Sequence, residues 1–373
     1  MKKKYLFIDG QLNAGGAERV LLDILNNFDY TKNEVTLLQV IGGGTLANEI
    51  PSQVNVISAW SSYDNSYKIA TRLALKLGIK SMWRKRMLKA LGERQFDVAI
   101  SFLEGMPLKA HSLITDVAKR NYSWVHVDLF TSHYESPMFA SEQDELKCYN
   151  LMDGVIAVAQ GTADAFKRRF PSCTSPVRVI YNPIDVEKIN RMACEEVIEN
   201  KTFTIAVVGR FSPQKKLDRA IRLAKRLKDC KIDAQIQLIG DGNLRGELEQ
   251  MAQSLEVTDV VQFLGFKRNP YPNIKAADLL LSTSGWEGFS LVICEAMALG
   301  TPVVATRTAG PAEIIGNNEY GILCEHDDDS IFKSITNIIK DKETYELYSQ
   351  KGVQRVQLFS PSNLICKLKD LGR

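Results

Sequence analysis

"TFTIAVVGRFSPQKKLDRAI" occupies residues 202–221. Its first half is a short, β-rich apolar run that stops at Gly209-Arg210. Its second half turns polar and then takes on helical period. A run of this kind, bounded by glycine and followed by a helix, opens a β-α-β unit. The same opening occurs once before: Tyr5–Asp9 is an apolar run, and "NAGGAERVLLDIL", residues 13–25, follows it. The alternation therefore starts twice, and one chain holds two sheets.

Working outward, Glu34–Val40, Val54–Ser58, Asp97–Phe102, Ser123–His126, Gly154–Ala159 and Val177–Ile180 read as further strands of the first half. Ala234–Gly240, Val260–Gly265, Asp278–Ser282, Pro302–Thr306 and Gly321–Cys324 continue the second. Helical stretches such as Lys216–Lys228 and Leu244–Leu255 fill the gaps. This order predicts α/β architecture with parallel sheets covered on both faces. A polar break, "NPIDVEKINRMACEEVIENK" at 182–201, separates the halves. Two doubly wound domains are expected, 1–181 and 182–359. Ligands of such folds bind beyond the carboxyl ends of the strands, so a central cleft between facing domains is the expected site.

The bulk properties agree. The chain has 373 residues, long for one core and suited to two domains. It is 45% hydrophobic and 24% charged, as a globular protein is. A net charge of +3 gives no reason to expect a nucleic-acid partner. The seven cysteines are scattered with no C-x-x-C pair, which predicts reduced thiols, no zinc site and a cytoplasmic chain. The first apolar run stops at Asp9, too soon for a signal peptide.

Chemistry concentrates at strand exits. Arg210 ends one strand, and Lys215 and Lys216 are expected in or near the first turn of the next helix, where a cation and helix amides together suit a diphosphate. Gly240 and Gly242 in "IGDGNLRGELE" permit a tight turn, but Arg245 stands where a dinucleotide fingerprint needs its third glycine, so a dehydrogenase is not expected. "SGWEGFSLVICEAMALG", residues 284–300, places Glu287 and Gly288 in a loop and predicts a helix over Leu291–Leu299 with Ser290 as N-cap. The free amides near Ser290 suit phosphate oxygens, and Glu295, one turn in, suits a ribose diol. An amphipathic helix with one exposed acid fits the same spacing. In the first half, Gly15-Gly16 before a helix lets an amide approach an anion. His126 ends a strand; alone, it reads as structural. "EHDDDS" at 325–330 has metal-like composition but reads as a solvated loop.

Together these features resemble the retaining glycosyltransferases of family 4, which have the GT-B fold and include bacterial surface-polysaccharide enzymes. The E-x7-E stretch Glu287–Glu295 is the most specific part. "GGAER", "VIYNPID" at 179–185, "VGRFSPQKK" and "GDGNLRGELE" precede it in order. The resemblance implies a nucleotide-sugar donor, a UDP-sugar by family frequency, held by the second domain. It implies that Arg210 and Lys215 hold the diphosphate, Glu295 the ribose, and Glu287 the donor sugar or its phosphate side. Amides at Phe289, Ser290 and Leu291 would serve sugar and phosphate, with Gly16 and His126 approaching from the first domain. It implies that the helix 360–373 returns to the first domain. No cofactor and no metal are expected, because Arg210, Lys215 and amides supply the positive charge. Lys216 departs from the pattern, which commonly has glycine there, and leaves open which lysine faces the phosphate.

The acceptor is expected to be a saccharide, free or lipid-linked. "KIATRLALKLGIKSMWRKRMLKALGER", residues 68–94, carries nine Lys/Arg against Glu93 alone. Such a basic amphipathic segment suits the anionic inner face of the plasma membrane, or is a pair of ordinary helices broken at Gly78. An epimerase or phosphorylase, or a silent sugar-nucleotide binding subunit, remain as alternative readings.

Overall fold

The structure, a computed structural model, describes residues 2–13, 15–131 and 138–372; His133 lies outside them. It divides into two compact units, Met1–Pro183 with Pro361–Arg373, and Ile184–Ser360. The first unit holds β1 (Lys3–Asp9), β2 (Asn33–Ile41), β3 (Asn55–Trp60), β4 (Phe96–Ser101), β5 (Ala118–Val125), β6 (Gly154–Ala157) and β7 (Val177–Val179). Their order is β3-β2-β1-β4-β5-β6-β7. The second holds β8 (Phe203–Val208), β9 (Ala234–Ile239), β10 (Val261–Gly265), β11 (Leu279–Ser282), β12 (Val303–Thr306) and β13 (Ile322–Cys324), ordered β10-β9-β8-β11-β12-β13. Every described strand pair is parallel. These are two Rossmann-like sheets, the fold pair of GT-B proteins.

The strands are legible as apolar runs because both faces are covered. Leu6, Phe7 and Ile8 are fully buried, as are Ile205 and Ala206. The covering helices bury one stripe. In Asp218–Asp229, Ala220, Ile221, Leu223, Ala224 and Leu227 face the core, while Arg222–Asp218 and Lys225–Asp229 pair on the outside at i,i+4. The Pro361–Asp370 helix packs in the first unit, where Tyr122 donates to the Leu371 carbonyl and Lys3 to that of Lys369.

Each sheet reverses its direction of growth once, between β1 and β4 and between β8 and β11. The chain splits to opposite faces at these points and leaves a crevice at the carboxyl edge.

The expected helical stretch Lys216–Lys228 needs correction. Lys215 and Lys216 precede the helix, which starts at Asp218. Lys216 is left-handed, φ +48, and cannot be helical. That conformation costs a side chain about 1 kcal/mol. In 68–94 the chain does form two helices, Asn65–Leu77 and Ser81–Leu91, with left-handed Gly78 between them. Much of the apolar stripe belongs to the core, since Trp83, Met87 and Leu91 are buried. Lys80 and Arg84 are tied to Asp144 and Asp116.

Candidate active site

Because β8 pairs directly with β11, the loops leaving them meet at the second unit's crevice. That brings together residues 72 positions apart. The Lys215 ammonium lies 2.5 Å from Glu287 Oε1. Ser284 Oγ donates to the same oxygen at 2.8 Å. The carboxylate is mostly buried, its side chain 9% exposed against 20% for Lys215. Around this pair the loops are stitched. Gly285 N donates to the Gln214 carbonyl, Gln214 Nε2 to that of Trp286, and Thr283 Oγ1 to that of Lys215. The structure thus puts Lys215, not Lys216, against Glu287; Lys216 lies over Gly285.

Gly240 and Gly242 have a local cause. A Cβ on Gly240 would fall 2.0 Å from the Gly209 carbonyl oxygen, and one on Gly242 2.4 Å from that of Phe211. The β9 exit packs directly under the loop that carries Arg210, which is exposed.

The helix after the glutamate loop runs Leu291–Ala298 with Ser290 at its N-cap. Ser290 does not cap: its hydroxyl is buried and has no hydrogen-bond partner among the described residues. Its first amides therefore lack a side-chain acceptor from that residue. Gly310 N donates to the Glu287 carbonyl, and a Cβ on Gly310 would sit 2.8 Å from the Gly288 carbonyl oxygen, so this neighbour fixes the Gly288–Phe289 backbone. Phe289 rests edge-on against Phe359. Glu295 lies one turn into the helix, and its Oε1 accepts from the Tyr271 hydroxyl at 3.2 Å.

In the first unit, Gly15 is the N-cap of the Gly16–Asn26 helix and gives it no side-chain cap. A Cβ on Gly15 would lie 2.1 Å from Glu18 Oε2, because the Glu18 carboxylate folds back over the turn. His126 lies one residue past β5, with its amide donating to Glu104 Oε2 at 3.0 Å. Its ring packs 4.7 Å from Phe102 and 5.7 Å from Trp124. Burial holds its pKa down, at about 3, against the pull of the Phe102 carbonyl. It is a neutral imidazole whose Nε2 has no partner among the described residues.

Sequence reasoning missed Tyr271 and Ser284. Ser284 stands three residues before Glu287, a spacing that any loop shows. Tyr271 comes from a separate short helix, Tyr271–Ala276, that only the fold brings beside Glu295.

Two adjoining family models match the chain: Glycosyltransferase Family 4 over residues 14–188 and Glycosyl transferases group 1 over 190–355. A Campylobacter jejuni relative, N-acetylgalactosamine-N,N'-diacetylbacillosaminyl-diphospho-undecaprenol 4-alpha-N-acetylgalactosaminyltransferase, is 29% identical over 213 residues, 57% of each chain. An Escherichia coli relative, UDP-Gal:alpha-D-GlcNAc-diphosphoundecaprenol alpha-1,3-galactosyltransferase, is 30% identical over 52% of this chain and 53% of its own. The chain thus spans about half the length of these relatives. An uncharacterized glycosyltransferase of Haemophilus influenzae matches at 22% over 94% of both. Among solved structures, Anabaena HepE in complex with UDP superposes with a TM-score of 0.77 at 21% identity over 99% of both chains. TarM does so with 0.78 at 13%, over 100% of this chain and 99% of its own. At these identities the structures speak for the fold. The two matched domains, in sequence order and one on each unit, place the chain in the glycosyltransferases, with a family 4 domain followed by a group 1 domain.

Proposed function

We propose that the chain transfers a glycosyl group from a UDP-sugar to a saccharide or lipid-linked saccharide acceptor, with retention at the anomeric carbon. The carrying observation is the buried Lys215–Glu287 pair at the β8/β11 crevice, beside a helix start that Ser290 leaves uncapped. Charge on the leaving diphosphate is met by Lys215, Arg210 and the amides of Phe289, Ser290 and Leu291. Such preorganised donors need no metal to act. Glu295, braced by Tyr271, takes the ribose diol. Neutral His126 accepts from or orients a sugar hydroxyl, and Gly16 offers an amide. Front-face attack, with the phosphate taking the acceptor proton, fits a site in which the carboxylate beside Lys215, that of Glu287, is already held by Lys215 and Ser284. The relatives act, by name, on diphospho-undecaprenol acceptors, which favours a lipid-linked one here.

The test is a thermal-shift panel of UDP-, GDP- and ADP-sugars. UDP-sugars at 100 times their Kd stabilise by about 2.7 kcal/mol, and Arg210→Ala abolishes that shift. A panel that moves nothing refutes the donor assignment.

Peripheral contact with the inner face of the plasma membrane belongs to the same reading. Ile69, Leu77 and Ile79 are 54%, 66% and 44% exposed, amid exposed Lys68, Arg72, Lys76, Lys85 and Lys89. Among the described residues no helix is long and apolar enough to cross a membrane. Sedimentation with vesicles containing phosphatidylglycerol is expected, and Lys68→Glu/Arg72→Glu/Lys76→Glu loses it. Equal pelleting with neutral vesicles counts against the contact.

A further inference from the structure

The stretch "EHDDDS" has a role besides loop solvation, and it begins with His326. This ring bridges two partners. Nε2 lies 2.9 Å from the Arg307 carbonyl oxygen, just past β12, and Nδ1 lies 3.2 Å from Arg219 Nη1. A carbonyl only accepts and a guanidinium only donates. The ring is therefore a neutral tautomer with its proton on Nε2 and a lone pair on Nδ1. The same Arg219 nitrogen donates to the Thr283 carbonyl at 3.0 Å. Thr283 is 1% exposed and sends its own hydroxyl to the Lys215 carbonyl at 2.7 Å.

A continuous strap thus crosses the carboxyl ends of β13, β12 and β11 and ends on the backbone that carries Lys215. That backbone is irregular: Lys216 is left-handed and the helix has not begun. Lys215 N donates to the Ser212 carbonyl and Gly285 N to that of Gln214, and the side-chain tie adds to these. The acids of the stretch are occupied elsewhere, Glu325 with Arg307 and Asp329 with Arg226. Asp327 caps its helix through Ser330 N, and Asp328 pairs with Arg222.

We propose that His326 is a positioning residue of the nucleotide-sugar site. Its Nδ1 lone pair holds Arg219, Arg219 holds Thr283, and Thr283 sets where Lys215 presents its ammonium to a diphosphate. This rests on the reading of Lys215 given above.

Titration calorimetry with UDP on the full chain tests it. His326→Leu is expected to weaken UDP about fivefold, the worth of one hydrogen bond, with its melting temperature unmoved. His326→Gln restores wild-type affinity, because its amide oxygen accepts from Arg219 while its amide nitrogen donates to the Arg307 carbonyl. Arg219→Met weakens UDP to the same degree, and the double variant is no weaker than either single. Lys333→Ala, an exposed change on the following helix, has no effect. His326→Leu binding like wild type, Gln failing to rescue, or additive losses would each overturn the strap. A wild-type chain silent toward UDP overturns the donor reading itself, and the strap's purpose with it.

Discussion

Asp9→Asn gains urea resistance relative to wild type as pH rises from 4 to 8. Asp9 ends β1 with 1% of its surface exposed, and no side chain among the described residues donates to its carboxylate. Burial, and then the nearby Glu18 carboxylate, raise its pKa from 3.8 to about 7, with the Gly10 amide only partly offsetting them. The sign follows from proton counting. Between about pH 4 and pH 7 the folded chain keeps a proton that the unfolded chain has released, so stability falls as pH rises through this window. At about 1.4 kcal/mol per pH unit the full loss is about 4 kcal/mol. Asparagine cannot ionise, so its curve lacks this slope. It pays a constant cost for burying an unpaired amide, which is why only the change with pH is diagnostic. His111 and His126, held neutral with pKa values of about 4 and about 3, act on the acid side. They are present in both proteins and cancel. Parallel urea curves at pH 4 and pH 8, with an unchanged gap between variants, would show that Asp9 finds a donor or water in solution.

Why the fold was readable and parts of the site were not has a physical answer. A parallel strand covered on both faces must be apolar along its length, so Tyr5–Asp9 and Thr202–Arg210 announce themselves, as do the shorter runs between them. The limits of the reading appear where backbone conformation or tertiary contact decides. Lys216 has the composition of a helix start, and only its positive φ excludes it from the helix. Trp83 and Met87 give a basic helix an apolar stripe whether that stripe meets lipid or, as here, the protein's own core. Asp9 looks like the polar end of a strand, and nothing in its neighbours' identities says that no side-chain donor among the described residues reaches it. Glu287 was legible as a residue of interest, but its partner was not. Lys215 reaches it because β8 and β11 are neighbours at the switch point, a fact of strand order and not of spacing.

That partnership leads to the second large effect. Lys215→Ala is expected to destabilise the chain by about 3 kcal/mol or more, the usual result of stranding one half of a buried ion pair. Glu287→Ala should cost much less. The asymmetry comes from exposure: among the described residues Glu287 is left with the Ser284 hydroxyl, whereas the Lys215 ammonium ends a flexible stem that already has twice the carboxylate's exposure. The double variant, Lys215→Ala/Glu287→Ala, then regains most of the stability that Lys215→Ala loses, giving a coupling well outside the about 0.5 kcal/mol of independent sites. Activity should follow a different rule. If Lys215 meets the leaving diphosphate, its removal lowers transfer by about 10²–10³-fold, and removing Glu287 as well restores nothing. Urea curves and initial rates on the same four proteins separate the two roles. A double variant that recovers transfer together with stability would mean that the pair only holds the loops in place. Stability regained while transfer stays lost assigns the lysine to the chemistry, because in the double variant the fold no longer has any need of it.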